Sequence, residues 1–234
     1  MKNLHEFEEN DMSEINSLSI RPDPALAQEF LTFGTALISD AMGRFGAMRK
    51  IHPVARGMKV AGPAVTVQTY RCDNLMVHVG LQLAQEGDVL VVDAGGIDYT
   101  GVWGGHMTDM ALMKKLGGIV VDGAVRDSAE MIEKGFPAFC IDVTPQGGYK
   151  DDPGSVNVGI SCGNVRVNPG DIIIGDDDGV VVIPLEKAEE IMAACRKIKA
   201  KEVYQEQAMR EGKTLYELIN MPQALEALGL KLPE

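Results

Sequence analysis

No two of the four cysteines stand close enough in sequence to form a metal clamp. Cys72, Cys140, Cys162 and Cys195 are widely spread and no C-x-x-C pair occurs. A zinc ribbon is therefore not expected, and free thiols in a reducing cytoplasm are. No apolar run approaches the roughly 20 residues that a bilayer span requires. The opening stretch MKNLHEFEENDMSEINSL is acidic and has no apolar centre, so it does not read as a signal peptide. Positive charge is in deficit as well: 22 Lys and Arg stand against 34 Asp and Glu, a net charge of −12. Such a field repels nucleic acid and anionic membrane. Neither is expected as a partner, and the expected location is the cytoplasm. The same field would repel an acidic substrate, so a site for acids needs a local cation or a metal. Internal repeats and low-complexity tracts are also missing, as is any linker long enough to separate a pair of domains. At 234 residues one domain is the natural expectation.

Two tempting motifs fail on spacing. The stretch from Asp93 to Gly101, DAGGIDYTG, does not fit G-x-G-x-x-G, because Gly95 and Gly96 are adjacent and Gly101 comes too late. Asp176-Asp177-Asp178-Gly179 lacks the alternation of a calcium loop and reads as a hairpin turn.

The informative stretch runs from Asp88 to Glu130. Val89 to Val92, bounded by charge, reads as a buried strand. A glycine-dense loop is expected next, through Gly95, Gly96, Gly101, Gly104 and Gly105, followed by a helix from His106 to Leu116. A second buried strand covers Ile119 to Val121. It feeds a turn, Asp122 to Val125, and then a helix opened by Arg126 and Asp127. In such strand–loop–helix units ligands sit beyond the carboxyl ends of the strands.

Both loops at those ends carry groups capable of chemistry. Gly104, Gly105, His106 and Met107 approach a helix start, where backbone N–H groups are unpaired and favour an anion. Arg126 offers a planar fork of donors suited to a carboxylate or 2-keto acid. Glu130 lies three residues after Asp127, hence on the same helical face. Two such carboxylates could hold a hard cation such as Mg²⁺ that keeps several waters. The plainer alternative makes Asp127 a helix cap and Arg126 half of a surface ion pair.

Elsewhere the pattern predicts helices over Ala25–Phe33 and, capped by Thr35, over Ala36–Met42. A strand is expected in Met58–Tyr70, then a helix from Asn74 to Gln85 with Asp73 as its cap. His78 within that helix reads as a buried or interfacial histidine. Further strands are expected at Ala138–Val143, Val156–Ile160, Asn164–Val167, Asp171–Gly175 and Val180–Ile183. A long helix from Leu185 to about Arg210, with Ile191, Ala194, Ile198 and Val203 as its stripe, is too long to pack wholly on one domain. The apolar tail Thr214–Leu230 suggests a further interface helix.

The segments GDVLVVDAGG, WGGHMTDMALMKKLGG and VVDGAVRDSAEM, with GTALISDAMGR, GPAVTV and NPGDIIIGDDDGVVVIP, resemble the RraA-like family. That family includes the 4-hydroxy-4-methyl-2-oxoglutarate / 4-carboxy-4-hydroxy-2-oxoadipate aldolases. The similarity runs from about Arg21 to Pro184. It implies an α/β fold of the swivelling β/β/α type, assembled as a homotrimer or a dimer of trimers with the site between subunits. The expected organisation is an acidic extension over 1–20, a catalytic domain over 21–184 and a helical, interface-forming segment over 185–234. The implied activity is that of a class II pyruvate aldolase using Mg²⁺ or Mn²⁺ on a small 2-keto acid, with oxaloacetate decarboxylation through the same enolate. Asp127 and Glu130 would serve the metal. Arg126 and the Gly104, Gly105, His106 and Met107 backbone would bind substrate. The family pattern sets an acidic residue or glycine, twenty intervening positions, then Arg-Asp, often with Glu or Asp three residues on. Here Gly105 takes the first place and Glu130 the last. A second function implied by the family is non-catalytic: a regulator that binds RNase E.

Overall fold

The structure, a computed structural model, describes residues 13–232. The first twelve residues of the expected acidic extension lie outside the described residues. In chain order the elements are α1 (Pro24–Phe33), α2 (Thr35–Ala41), β1 (His52–Pro53), β2 (Val60–Gln68), α3 (Leu75–Leu83) and β3 (Val89–Gly101). They continue with α4 (Gly105–Met113), β4 (Gly118–Val125), α5 (Ser128–Glu133), β5 (Ala138–Val143), β6 (Ser155–Val156), β7 (Ile160–Cys162) and β8 (Val165–Val167). The last are β9 (Ile172–Asp176), β10 (Gly179–Ile183), α6 (Ala188–Arg210), α7 (Leu215–Leu218) and α8 (Met221–Ala227).

Val89 to Val92 are fully buried because both faces of their strand are covered. Side chains alternate across a strand. Leu90 and Val92 therefore join one core, with Val65, Val67, Trp103, Met107, Ile119 and Met131, beneath α3, α4 and α5. Val89 and Val91 join a second, with Val60, Val120, Phe139, Ile173 and Val182. Each such side chain contributes roughly 1.5–3 kcal/mol when fully buried. A third core, with Phe30, Ile38, Ile172, Ile174, Ile191 and Cys195, seats α1, α2 and α6 on β9 and β10. The main sheet runs β1-β5-β4-β3-β2-β9-β10, with β6 also on β2. Strands β2 to β5 are parallel, and β9 and β10 are added antiparallel.

Several local expectations are corrected. The glycine-dense stretch after Asp93 is not a free loop. β3 continues to Gly101 through two register shifts against β4, and Gly95 and Gly96 take positive φ there. Glycine tolerates that conformation without a Cβ clash, so the strand bulges instead of ending. The expected turn Asp122–Val125 is likewise strand, since β3 and β5 pair with it on both sides. Thr35 does not cap α2. Its N–H and hydroxyl both donate to Asp176, at 2.8 and 2.6 Å. The expected helix through Leu116 ends at Met113, and the tail forms two short helices rather than one. On α6 the buried stripe is Ala188, Ile191, Met192 and Cys195. Val203, placed on that stripe by the sequence, is exposed.

The hairpin reading of Asp176–Gly179 agrees with the pairing Gly179↔Asp176. Residues 14–16 lie along β6 through backbone bonds with Val156. Arg21 then grips the buried Asp88 with two bonds of 2.9 Å. No helix among the described residues is long and apolar enough to cross a membrane.

Candidate active site

A cleft of about 250 Å³ opens where β3 and β4 end. Its position follows from backbone pairing. Val102 donates to the Ala124 carbonyl at 3.0 Å, and Arg126 donates to the Trp103 carbonyl at 2.9 Å. These two bonds set Arg126 and Asp127 directly against the Gly104-Gly105 start of α4. Trp103 anchors the turn: it is buried, stacks on Phe136 at 5.9 Å between ring centres, and donates its Nε1–H to Thr108 at 2.9 Å. Such a ring pair contributes about 0.5–1.5 kcal/mol beyond its area.

Asp127 corrects the cap reading. It stands before α5 in a left-handed conformation, φ 57°, and its carboxylate makes no cap bond. Instead Oδ2 accepts the Gly105 N–H at 2.9 Å and Arg126 Nε at 3.2 Å. The side chain reaches across the cleft floor because Gly104 leaves room: a Cβ there would stand 2.7 Å from Oδ2. Among the described residues Oδ1 has no partner. Glu130, one turn into α5, does not share a helical face with Asp127, which lies outside the helix. Glu130 pairs with Lys134 at 3.0 Å and lies against Gly105. Lys134 also holds Asp109 on α4 at 2.7 Å, tying the two helices together.

The cleft brings together Gly104, Gly105, His106, Met107, Arg126 and Asp127. Glu130 is behind Gly105 rather than in the lining. The Gly105 N–H is spent on Asp127. Among the described residues, the His106 and Met107 N–H groups are the unpaired ones at the start of α4, since its first internal bond is Thr108 to Gly104. Arg126 uses Nε on Asp127, and its Nη1 packs beneath Gly147, where a Cβ would approach to 2.7 Å.

The far wall carries two residues that the sequence marks, His78 as buried or interfacial and Asn74 as a helix start, neither of them as a site residue. It consists of Asn74 and His78 on the α3 side and Gly147, Gly148 and Lys150 from the loop after β5. His78 is exposed and opens on the cleft rather than into a core, and desolvation by the surrounding protein, then the Lys150 charge, lower its pKa. The buried Asp73 assembles this wall. It accepts the Leu75 N–H at 2.7 Å, as a cap would, and also the N–H groups of Asp151 at 2.7 Å and Asp152 at 3.1 Å. The Gly147-Gly148 pair is the available signal, but nothing in sequence links it to the distant Asp73.

Comparison with known proteins decides the family. The model of RraA-like proteins, Aldolase/RraA, matches residues 35–182. The chain belongs to the RraA-like family. A putative 4-hydroxy-4-methyl-2-oxoglutarate aldolase of Halalkalibacterium halodurans is 39% identical over 184 residues, covering 78% of this chain and 88% of the relative. The 4-hydroxy-4-methyl-2-oxoglutarate aldolase of Thermus thermophilus is 34% identical over 126 residues, 54% of this chain and 76% of that one. Streptomyces coelicolor RraAS2, described as an unusual member of the RNase ES inhibitor RraA protein family, superposes with a TM-score of 0.73. It is 32% identical, covering 80% of this chain and 98% of that structure. The α/β architecture expected from the resemblance is the RraA-like fold observed.

No group of three His, Cys, Asp or Glu side chains able to hold a metal gathers among the described residues. An all-protein cage is therefore not formed by them, and Mg²⁺ does not need one. It binds through one or two carboxylates and keeps water or substrate oxygens for the rest. Asp127, with one oxygen fixed by a backbone N–H and the other free, suits that role.

Proposed function

We propose that this RraA-like protein is a divalent-metal-dependent lyase. It would cleave 4-hydroxy-2-keto acids of the 4-hydroxy-4-methyl-2-oxoglutarate type to pyruvate, and would decarboxylate oxaloacetate through the same enolate. The observation that carries the reading is the convergence of Arg126, Asp127 and the start of α4 on one small cleft.

The chain's own groups divide the work. The Arg126 Nη groups offer two parallel donors to the carboxylate of the pyruvoyl unit. The His106 and Met107 N–H groups, with the α4 dipole behind them, stabilise negative charge at the same end. Asp127, with Glu130 through water, would hold a Mg²⁺ or Mn²⁺ ion, which would supply Lewis-acid stabilisation of charge on the keto oxygen. In aldol cleavage the 4-hydroxyl gives up its proton to water in the open cleft, the C3–C4 bond breaks and C4 leaves as the carbonyl of the second product. The electron pair passes to the C2 oxygen, and protonation at C3 completes pyruvate. In decarboxylation the same pair is released as CO₂ leaves. Preorganised donors aimed at that developing charge are the largest contribution a site of this kind can make.

Oligomerisation belongs to the same proposal, as a homotrimer or a dimer of trimers. Support comes from the exposed apolar residues of the tail, Leu215, Ile219, Leu228 and Leu230, and from Val203, Tyr204 and Met209, exposed on the second half of α6. A second reading, a regulator binding an RNase E-type partner, is favoured by the net charge of −12 and by the S. coelicolor neighbour. It gives no reason for Arg126 and Asp127 to face an open cleft.

The experiment is a lactate-dehydrogenase-coupled pyruvate assay with Mg²⁺, Mn²⁺ or EDTA and each keto acid. Pyruvate in the metal arms alone supports the lyase. No pyruvate from any acid, with tight binding to RNase E, supports the regulator.

A further inference from the structure

We propose that residues 14–18 form a strap that braces the far wall of the cleft, so that strap and wall open and close as one unit. The inference deepens the lyase reading above and rests on it for the ligand used in one of its tests. The far wall belongs to the segment that joins β5 to β6, and β6 is only Ser155 and Val156. So short a strand keeps little pairing of its own. Val156 stands opposite Val67 of β2, yet its N–H and C=O both pair with the strap. The N–H donates to the Glu14 carbonyl at 2.7 Å, and the C=O accepts the Asn16 N–H at 3.0 Å. Ser155 Oγ accepts the Glu14 N–H at 3.1 Å, and Asn157 Nδ2–H donates to the Asn16 carbonyl at 2.8 Å. All four bonds are lost together if the strap lifts.

The strap is built to lift without the rest of the fold. Residues 13–17 are exposed, and Leu18 is partly buried against the core beneath α3. A segment with so few apolar contacts opens locally. Arg21, fixed on the buried Asp88, is the point about which it would turn. The link from β6 back to the cleft is short and stiff. Pro153 and Gly154 alone separate β6 from Asp152, and proline fixes its own φ. Gly154 lies so close to the Gln68 carbonyl that a Cβ would not fit. Asp152 and Asp151 donate to the buried Asp73, and Lys150, which lines the cleft, comes next. A shift of β6 therefore reaches the cleft wall with little slack to absorb it.

The test is amide hydrogen exchange of the full chain, followed by NMR at Asn16 and Val156 in the strap contact and at Asp151 and Asp152 in the wall. The probe is 2-oxoglutarate with Mg²⁺, a keto acid with neither the 4-hydroxyl that cleavage needs nor a carboxylate on C3 to lose. In a cleft of about 250 Å³ an acid that fills the site meets both walls. At about 100 times its dissociation constant it should slow exchange at all four amides by a similar factor, up to about 100-fold. Slower exchange at Asp151 and Asp152 with Asn16 and Val156 unchanged overturns the proposal. No change at any of the four counts against the lyase reading instead, and variants without ligand then decide. Asn16→Pro removes the N–H that Val156 accepts and should speed exchange at Asp151 and Asp152 by about 3–10-fold. Asn16→Ala keeps that N–H and loses only the side-chain bond to Glu14, so it should match wild type. If Asn16→Pro does not fold, Ser155→Ala, which removes the acceptor of the Glu14 N–H, should speed the same amides. Unchanged wall amides in the folded variant, or equal acceleration in Asn16→Ala, overturns the proposal.

Discussion

A side chain on Gly105 would begin inside the space that Glu130 fills. Its Cβ would stand 2.5 Å from Glu130 Oε2 and 2.9 Å from the carboxyl carbon. The carboxylate that the family pattern can place at position 105 is here brought to the same place from α5. Gly105→Asp should therefore weaken Mn²⁺ binding, by clash and by repulsion between two carboxylates. Glu130→Ala should weaken it by ~10–100-fold, as groups that support a metal ligand do. The double variant Gly105→Asp/Glu130→Ala should recover some of the loss. Electron paramagnetic resonance titration of free Mn²⁺ reads all three. Tighter binding in Gly105→Asp alone would show that the two positions act independently.

Arg126 is held from two sides, by Asp127 at Nε and by Gly147 over Nη1. Lysine has neither the planar fork nor the length in that slot. Arg126→Lys should lose roughly 10²–10³-fold in kcat/KM for either acid, close to Arg126→Ala. Gly147→Ala, which pushes on the guanidinium without removing it, should raise KM more than it lowers kcat. Steady-state kinetics on the three variants checks the order.

What sequence alone can show here depends on range. The buried run Val89–Val92 announces its strand because both faces meet apolar neighbours, and Arg126-Asp127 stands out beside it. The role of Asp127 does not, because a left-handed residue facing the Gly105 N–H looks like a helix cap in one dimension. The glycine stretch misleads for a related reason. Glycine permits a bulge as readily as a loop, and only pairing with β4 decides which. Asn74 and Lys150 are invisible as site residues, since Asp73 joins their distant segments through backbone N–H groups.

Burial sets the thiol chemistry. It pushes Cys140 up to about 12 and Cys195 to about 11, and raises Cys162 as well, while Cys72 is half-buried. A folded pKa above the unfolded value gives stability that is complete below the unfolded value and lost as pH rises. The window for Cys140 therefore opens near the ordinary thiol value of ~8.5 and closes at about 12. Melting temperature should fall through that range, and less steeply in Cys140→Ala. At neutral pH, native protein should show one fast-reacting thiol, Cys72, against four after unfolding. Timed labelling with a thiol reagent measures both counts.

The most direct test of chemistry where Asp127 meets the start of α4 is pyruvate release from 4-hydroxy-4-methyl-2-oxoglutarate under saturating Mg²⁺, by wild type and by folded Asp127→Ala side by side. Steady release by wild type and none above background by Asp127→Ala is the predicted result. Equal rates from the two proteins would contradict it.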